Sequence, residues 1–402
     1  MKINNNIPAY RFQGYTDAWE LRKLGEVAKY RNGKAHEQSI VAEGDYVVIN
    51  SKFVSTGGVV EKFSSRQLEP LYKNEIAFVL SDIPNGKALS KTFLVDVDQK
   101  YTLNQRIAAI TPKESASFLN ELLNRNSYFL KFDNGVGQTN LAKDQVLEFN
   151  AFFPTLPEQE AIGNFFSTLD RHITLHQRKL DTLKQQKKTY LKLLFPAKGQ
   201  TKPALRFRGF EDDWEEVKLG EVVEKSGSGG TPKSTNKAYY GGNIPFLSIT
   251  DITQSGKYIT NTEKTLTEIG LENSSAWKVP KGAISLAMYA SVGKLAILKT
   301  DAATSQAFFN MVFSNEIVRD YVYFILDKAQ LFNEWLPLIS TGTQGNLNAQ
   351  KLKEYIIPLP SLPEQEAIGT FFQTLDQELA QVEDKLASLK EMKKTLLHRI
   401  FV

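Results

Sequence analysis

The chain of 402 residues contains no cysteine. This absence excludes a disulfide framework and any thiolate metal site, and it fits a reducing compartment. Long apolar runs are absent too: residues 1–6 do not form the apolar stretch of a signal peptide, and no segment approaches membrane-spanning length. We therefore expect a cytoplasmic protein that does not enter a membrane.

A strong excess of charge is also lacking. The formal net charge is +4, with 23% charged and 42% hydrophobic residues, which is typical of a folded globular protein rather than a disordered one. So small a basic excess is weak support for nucleic-acid binding by itself. The length exceeds what one hydrophobic core ordinarily supports, so we expect two domains plus additional structure.

Catalytic motifs are scarce. Gly227–Gly230 lacks the spacing of a dinucleotide-binding loop, and Gly135–Gln138 lacks the lysine and hydroxyl residue of a Walker motif. No tetrapeptide of the Asn-Pro-Pro-Tyr type, which holds the target base in adenine methyltransferases, occurs in the sequence. We therefore expect no catalytic residue and no cofactor in this chain.

Two short clusters of residues could be interpreted as a catalytic or a metal-binding site. Asp96, Asp98 and Lys100 could be arranged as a nuclease site, but matches this short arise often by chance, and a solvated turn explains them better. Of the four histidines, His172 and His176 stand one helical turn apart, without a third candidate ligand nearby. We therefore expect no metal site.

Two blocks of the sequence recur in the same order. Arg11–Val27 returns as Arg206–Val222, and Leu156–Asp170 returns as Leu362–Asp376. Agreement of this quality indicates an internal duplication. The chain should therefore consist of two halves related by a pseudo-two-fold axis.

The segments between the repeated blocks are much less alike. Both contain β-rich runs broken by Gly, Asn, Ser and Pro, and both should end in a short helix, around residues 116–124 and 316–331. They share a faint ending, Gln138–Leu141 in the first and Gln344–Leu347 in the second. The sequence therefore predicts an α+β protein with two mixed α/β domains of one fold and divergent surfaces.

Each second block opens a long helix with a heptad-spaced apolar stripe. The predicted seam of the first helix is Ile162, Phe166, Leu169, Ile173, Leu180, Leu183 and Leu194, and that of the second is Ile368, Phe372, Leu375, Leu379, Leu386, Leu389 and Ile400. His176 falls at a seam position whose counterpart is Val382, so we expect a packed or register-setting polar residue there. The alternative is that each stripe faces its own globular domain. We favour pairing of the two helices as a coiled coil.

Connectivity predicts the direction of this pairing. Helix one leads from the first domain through a linker towards the second domain, which runs directly into helix two. The economical arrangement is antiparallel, because a parallel one would make the linker retrace the whole helix. Helices of about 38 residues, rising 1.5 Å per residue, would separate the two domains by on the order of 55 Å. The protein would then act as a molecular ruler.

Together these features resemble the DNA-specificity subunit of type I restriction-modification systems. The repeated Leu156–Gln159 and Leu362–Gln365 mark the family's helices, while Gly230–Pro232, Tyr240–Phe246 and Gly293–Lys294, with Gly282, are similar to a target-recognition domain. The first domain lacks the Gly-Thr-Pro and Gly-Gly-x-Ile-Pro signatures. The resemblance divides the chain into an arm (1–29), a first recognition domain (30–150), a central helix (151–197), a linker with the repeated arm (198–224), a second recognition domain (225–356) and a C-terminal helix (357–402).

The resemblance also implies a function. Each recognition domain would read one half of a bipartite double-stranded DNA target, and the helices would set the spacer and bind two modification (methyltransferase) subunits. Those partners would carry S-adenosylmethionine chemistry, and restriction subunits would use ATP and magnesium. This chain itself would be a non-catalytic DNA-binding subunit.

Candidate DNA contacts are basic, amide, hydroxyl or aromatic residues of the two variable domains. In the first domain they are Arg31, Lys34, Asn50, Ser51, Lys52, Ser55, Arg66, Lys87, Asn104, Gln105 and Arg106. In the second they are Lys233, Ser234, Tyr239, Tyr240, Lys257, Tyr289, Ser291, Lys294, Ser305 and Gln306. For each of them, surface solvation or packing is the competing explanation.

Two other functions compete with this one. The chain could be the recognition half of a fused methyltransferase-nuclease, which predicts methyl transfer by the purified chain. It could also be a coiled-coil scaffold without a nucleic-acid role, which predicts no salt-sensitive duplex binding. Two differing copies of one domain argue against a plain scaffold.

Overall fold

A computed structural model describes residues 7–83, 86–197, 199–339 and 346–401. Contacts along the chain divide it into two units: unit 1 comprises residues 1–177 and 384–402, and unit 2 comprises residues 178–383. Each unit therefore contains one variable domain, one copy of the arm and a portion of both long helices. The boundaries cut through the helices rather than between the helices and the domains.

Unit 1 is a mixed α/β domain. Its strands are β1 (Glu20–Lys23), β2 (Ala28–Asn32), β3 (Ile40–Val41), β4 (Tyr46–Ile49), β5 (Phe63–Ser64), β6 (Ile76–Val79), β7 (Ser81–Asp82), β8 (Thr92–Leu94), β9 (Tyr101–Leu103), β10 (Ile107–Pro112), β11 (Thr139–Asn140) and β12 (Asn150–Phe153). Its helices are α1 (Leu24–Val27), α2 (Ser51–Ser55), α3 (Ala116–Leu123), α4 (Ser127–Leu130), α5 (Lys143–Leu147) and the start of the long helix α6 (Leu156–Leu193).

Two four-stranded sheets organise unit 1. The central antiparallel sheet has the order β2-β10-β6-β8, and a mixed sheet has the order β3-β5-β4-β9, in which β4 and β9 are parallel. Strand β6 is buried on both faces, because every residue of Ile76–Val79 is inaccessible to solvent. It therefore reads as a continuous apolar run rather than as an alternating pattern.

Unit 2 repeats this plan with eleven strands in its described part, against twelve in that of unit 1. They are β13 (Glu215–Lys218), β14 (Lys225–Ser228), β15 (Tyr240–Leu247), β16 (Tyr258–Ile259), β17 (Lys264–Leu266), β18 (Lys278–Val279), β19 (Ile284–Ala287), β20 (Leu295–Leu298), β21 (Ala302–Thr304), β22 (Phe308–Val312) and β23 (Ile356–Leu359). The helices are α7 (Ile249–Gln254), α8 (Glu268–Glu272), α9 (Glu316–Leu331), α10 (Ala349–Lys353) and α11 (Leu362–Phe401), with 3₁₀ turns at Leu219–Glu221, Lys237–Tyr239 and Leu336–Leu338.

Two larger sheets organise unit 2. One has the order β14-β22-β19-β20-β16 and the other β17-β15-β21-β18. The first is antiparallel except for the parallel pair β16 and β20, and the second contains the parallel pair β15 and β21. The expected α+β fold with two mixed domains is confirmed, including the short helices, which are α3 and α9.

The arms are held in the same way in both units. Strand β1 pairs with β12, and β13 pairs with β23, so each arm forms a two-stranded ribbon with the segment that enters a long helix. Arg11 binds both carboxylate oxygens of Glu158 at 2.7 Å, and Arg206 binds those of Glu364 at 2.7 and 2.8 Å. Bidentate pairs of this kind are strong and directional. The hydrogen bond of each guanidinium to its glutamate raises the arginine pKa.

Within each unit the two long helices run antiparallel. In unit 1, Lys393 contacts Asp170 at 2.6 Å and Lys390 contacts Gln177 at 3.2 Å. Moving forward along α6 therefore means moving backward along α11. In unit 2 the same reversal is seen, because Lys187 contacts Asp376 at 2.8 Å and Lys184 contacts Glu383 at 2.7 Å.

The predicted seam is largely buried. Ile173 and Leu379 are half-buried, and the other twelve seam residues are at most 9% exposed. The competing explanation also holds for part of each stripe: Ile162 and Phe166 join the domain core with Trp19 and Phe118. The first turns of α6 therefore pack on their own domain, in a core that also contains Leu389 and Ile400 of α11.

Of the two roles expected for His176, packing or setting the register, the structure shows partial packing. His176 is half-buried, and its Nδ1 donates to the carbonyl of His172 at 2.8 Å, on its own helix. Its counterpart Val382 is buried. A hydrogen bond within one helix carries no information about the partner helix.

None of the helices in the described part of the chain is long and apolar enough to cross a membrane.

Candidate nucleic-acid interface

Three segments meet at one end of the central sheet of unit 1. The Leu80 amide donates to the carbonyl of Arg106 at 3.0 Å, and the Leu141 amide donates to the carbonyl of Leu80 at 2.8 Å. A tight turn precedes β10, closed by the Ile107 amide and the carbonyl of Asn104 at 3.0 Å. These bonds fix the backbone where the sheet ends.

Unit 2 contains the same three bonds. The Met288 amide donates to the carbonyl of Ala307 at 2.7 Å, and the Leu347 amide donates to the carbonyl of Met288 at 2.9 Å. The turn before β22 is closed by the Phe308 amide and the carbonyl of Ser305 at 3.3 Å. We call this feature the loop edge: residues 80–83, 104–106 and 138–141 in unit 1, and 288–291, 305–307 and 346–347 in unit 2.

The shared ending noted in the sequence belongs to this edge. Leu141 and Leu347 make equivalent bonds, while Gln344 and Gly345 lie outside the described residues. In unit 1, the Gln138 side chain donates to the Ser81 hydroxyl at 2.6 Å, which ties two segments of the edge together. The faint sequence similarity therefore reflects a common backbone frame.

Close backbone contacts beside the edge require glycine in both units. A Cβ on Gly33 would collide with the carbonyl of Asn104, and one on Gly229 would collide with the carbonyl of Thr304. Any side chain would push a strand away from the turn that precedes β10 or β22. The frame is thus held at matching points, although the sequences around it differ.

The side chains on this frame differ between the units. The turn reads Asn104–Arg106 in unit 1 and Ser305–Ala307 in unit 2, with a glutamine in the middle of both. Gln105 and Gln306 are both exposed. Gln105 donates to the carboxylate of Glu37 at 3.1 Å, whereas the Gln306 carbonyl oxygen accepts from the Thr231 hydroxyl at 2.6 Å.

An open cavity of about 350 Å³ lies at the edge of unit 1. Its lining consists of Asn50, Ser51, Lys52, Lys62, Asn104, Arg106 and Ile107. Five predicted contact residues are therefore brought together, and Gln105 stands on the same turn. Three basic side chains beside amide and hydroxyl groups can bind phosphate oxygens and base edges.

The edge of unit 2 is more aromatic and less basic. Ser305 and Gln306 adjoin the loop that carries Tyr289 and Ser291, both exposed. The Gly230 amide donates to the carbonyl of Thr304 at 2.9 Å, which places the Gly230–Pro232 segment beside the same turn. The Tyr240 hydroxyl donates to the carbonyl of Pro232 at 2.7 Å.

Two basic candidates of unit 1 are committed to internal ion pairs. Arg31 binds Glu69 and Glu75 and also donates to the carbonyl of Pro70, and Lys34 contacts Glu69 at 3.1 Å. Burial alone would lower the pKa of Arg31, but these carboxylates outweigh it, and the net effect is a raised pKa. Their charge is therefore largely neutralised within the domain.

Lys257 is not a surface residue. Its ammonium lies over the rings of Phe324 at 4.1 Å and Tyr323 at 4.8 Å, and 3.8 Å from the carboxylate of Asp376. Burial lowers its pKa to about 8, although nearby carboxylates oppose the change. The expectation that Lys257 contacts DNA is wrong, because its side chain packs against helices α9 and α11.

The remaining candidates lie around the edge without joining one cavity. The Lys294 ammonium donates to the carbonyl of Thr253 at 3.2 Å, and the Ser55 hydroxyl donates to the carbonyl of Lys52 at 3.0 Å. Arg66, Lys87, Lys233 and Ser234 are exposed, and Tyr239 is half-buried. They stay predictions.

Two residues at the edge were missed by sequence reasoning. Lys62 lines the cavity of unit 1, and Thr231 holds the side chain of Gln306 in unit 2. Thr231 stands in the Gly-Thr-Pro motif, which was a usable signal. Lys62 follows an irregular glycine-containing loop and has no signal of its own, since only the pairing of β5 with β4 brings it to the edge.

The clusters weighed as catalytic or metal-binding have structural explanations. Asp96 accepts from the Tyr101 hydroxyl at 3.0 Å, and Asp98 accepts from the Lys73 amide at 2.7 Å, in the turn between β8 and β9. Among the described residues, no group of three or more His, Asp or Glu side chains could hold a metal ion.

Comparison with known proteins agrees with this architecture. The chain matches the family model described as the type I restriction modification DNA specificity domain twice, over residues 16–185 and 211–391. Its fold is similar to the crystal structure of a type I restriction-modification S subunit from M. genitalium, with a TM-score of 0.67 and 18% identity, covering 98% of this chain and 99% of that one.

Two curated relatives come from Methanocaldococcus jannaschii. The type I restriction enzyme MjaIX specificity subunit is 35% identical over 166 residues, which cover 41% of this chain and 38% of that protein. The MjaVIII specificity subunit is 24% identical over 402 residues, covering 94% of this chain and 91% of the relative. Because the family model covers most of both halves, the chain belongs to the type I restriction-modification DNA-specificity family and carries the family's domain twice.

Proposed function

We propose that this chain is the subunit that reads a bipartite double-stranded DNA target, with one half-site bound at the loop edge of each variable domain. One observation carries the proposal: both units build the same backbone edge from the same three hydrogen bonds and place different side chains on it. A conserved frame with variable side chains is what two related readers of different sequences require.

The chemistry of each edge suits this role. In unit 1, Lys52 and Lys62 can contact phosphates, and Arg106 can donate two hydrogen bonds to the O6 and N7 of a guanine. In unit 2, Gln306 and the hydroxyl residues beside it can read base edges with less electrostatic support. The two half-sites should therefore differ in sequence.

We propose that the long helices set the spacing between the half-sites. Helices α6 and α11 contain 38 and 40 residues. Because an α-helix rises about 1.5 Å per residue, their length can set a distance between the half-sites. Their antiparallel contacts within each unit support a role for both helices in this spacing. The base pairs between the half-sites would go unread.

The chemical steps are assigned to other proteins. We propose that the chain is not an enzyme and holds no cofactor, and that two modification subunits using S-adenosylmethionine methylate the target. Restriction subunits that use ATP and magnesium would join this assembly. The complex would act in the cytoplasm on duplex DNA.

Domain exchange tests the proposal. Residues 30–150 would be replaced by the corresponding segment of a relative, and methylated adenines would be mapped genome-wide in a strain carrying the chimera. We expect one half-site to change and the other to persist. The matched control replaces residues 225–356 and should change the opposite half. A simultaneous change of both halves in either chimera would rule out independent reading.

A further inference from the structure

Two lysines interrupt the apolar seam at equivalent positions of the repeat, and both are half-buried and ion-paired across the helices. Lys187 of α6 contacts Asp376 of α11 at 2.8 Å in unit 2, and Lys393 of α11 contacts Asp170 of α6 at 2.6 Å in unit 1. The lysine side chains are 21% and 15% exposed. Each unit therefore has one lysine and one aspartate in the middle of an otherwise apolar contact.

A second carboxylate reaches each lysine from the adjoining variable domain. Asp327 of α9 lies 3.1 Å from Lys187, and Glu121 of α3 lies 2.9 Å from Lys393. Burial alone would lower the lysine pKa values, but the paired carboxylates outweigh it and raise them. Burial raises the pKa of Glu121, against the opposing effect of Lys393. We call these two groups of three the lysine triads.

The acids supplied by the domains do not occupy equivalent positions. Phe118 of α3 packs against Trp19 and Phe401, as Tyr321 of α9 packs against Trp214 and Phe195. With these aromatic residues matched, Glu121 corresponds to Phe324, and Asp327 corresponds to Asn124. The carboxylate supplied by the domain therefore stands one helical turn further along the helix in unit 2 than in unit 1. Each unit pairs its seam lysine with an acid from a different position.

The apolar seam cannot choose a register by itself, since a slip of seven residues replaces apolar residues by apolar residues. The triads oppose every such slip. A shift of one heptad in either direction places Asp170 against Ile400 or Leu386, and it places Asp376 against Leu194 or Leu180. In a parallel alignment of the repeats, Asp170 would face Asp376 and Lys187 would face Lys393. Buried like charges and unpaired carboxylates are strongly unfavourable.

We infer that the two lysine triads fix the register of the helix pair and dock each variable domain on it, and so act as positioning residues for the half-site spacing. The part that concerns spacing rests on the proposed function, whereas the register of the helices does not. A buried ion pair contributes little net stability compared with apolar residues of similar size, so its retention in both copies is better explained by specificity.

The register can be measured without DNA because the chain has no cysteine. The reporter carries Lys184→Cys and Glu383→Cys, two half-exposed positions that contact each other in unit 2, and is treated with a short bismaleimide. The test variant adds Lys187→Met, Asp376→Leu, Asp327→Leu, Lys393→Met, Asp170→Leu and Glu121→Leu. The matched control instead replaces the exposed pair Lys179–Glu378 by Met and Leu.

We expect the test variant to keep its helix content, measured by circular dichroism, and its cross-linking yield to fall at least five-fold. The control should cross-link like the parent. A yield equal to that of the parent in the folded test variant would overturn the inference.

A charge-swapped variant covers the case in which the apolar variant does not fold. Asp170→Lys alone places two lysines together, whereas Asp170→Lys with Lys393→Asp restores one lysine and two carboxylates in unit 1. The corresponding reporter there is Gln177→Cys with Lys390→Cys. Loss of cross-linking in the single variant and recovery in the double variant would support the inference. Equal cross-linking of parent and single variant, or no recovery in the double variant, would contradict it.

Discussion

The two units share side-chain interactions where the arms meet the long helices, whereas at the loop edge they share a backbone frame and differ in side chains. At the helices, Arg11 and Glu158 are matched by Arg206 and Glu364 with nearly identical distances. At the edge, Arg106 of unit 1 is replaced by Ala307 in unit 2 on the same backbone turn. Under the proposed function, the shared interactions at the helices would serve assembly, and the differing side chains at the loop edge would serve recognition.

One difference at the conserved end is informative. The Trp214 indole donates to Glu364 at 3.1 Å, whereas the indole nitrogen of Trp19, in the same position of unit 1, is buried without a hydrogen-bond partner among the described residues. The glutamate of the arginine–glutamate pair therefore accepts one more side-chain hydrogen bond in unit 2 than in unit 1.

The largest expected effect tests this difference. Glu364→Ala and Glu158→Ala each remove both carboxylate bonds of a part-buried arginine, which then keeps only its bond to a backbone carbonyl, and the loss costs about 1.5–3 kcal/mol. Glu364→Ala should cost about 1 kcal/mol more, because it also removes the indole bond. Chemical denaturation of both variants measures the difference. An equal or larger loss of unfolding free energy for Glu158→Ala would show that the indole bond does not distinguish the two arginine–glutamate pairs.

A smaller effect of opposite sign is expected at Lys257, which lies in unit 2. Because its folded pKa of about 8 is below the ordinary lysine value, the unfolded chain binds more protons between about pH 8 and 10.5. The cost of burying the charge is thus fully present below pH 8 and vanishes above about pH 10.5. Lys257→Met should raise the unfolding free energy by about 1–3 kcal/mol at pH 7, with the gain disappearing towards pH 10.5.

The measurement is a set of melting curves of both proteins from pH 7 to 10.5. The control is Lys299→Met, which changes an exposed lysine of the same domain. A destabilised Lys257→Met protein at pH 7 would mean that the ring contacts outweigh the cost of burial.

The last effect concerns base reading rather than folding. Arg106→Ala should relax the preference at one position of the first half-site by about 1–3 kcal/mol, which is about five- to 150-fold. Lys62→Ala should instead weaken binding to all sequences and reduce its salt dependence. Binding titrations of the assembled complex against half-site variants compare the two. A uniform loss for Arg106→Ala would assign it to the phosphates.

The sequence predicts the repeated features well because they depend on local patterns. Heptad spacing identifies the seam, and the duplicated arms identify the two halves. The partners of individual charged residues are not local: Glu69 and Glu75, which bind Arg31, lie 38 and 44 positions further along the chain. Lys257 likewise reads as an exposed lysine until α9 and α11 cover it. Basic residues could be proposed as DNA contacts, but their internal partners could not be foreseen.

The register also determines where the ruler should be lengthened. Lys187 contacts Asp376 in unit 2, and Asp170 contacts Lys393 in unit 1. Insertions after Arg178 on α6 and after Asp384 on α11 fall next to the boundaries of the units, outside both triads, and at equivalent positions of the repeat. Seven residues inserted at both would preserve the heptad and lengthen the pair by about 10 Å.

Methylation mapping of this double insertion tests the central claim most directly, because it changes the spacing and leaves both loop edges intact. Since B-DNA rises about 3.4 Å per base pair, the account predicts that the gap between half-sites grows by about three base pairs. Both half-site sequences should stay the same. An active variant that methylates the original gap would show that the helices do not set the spacing.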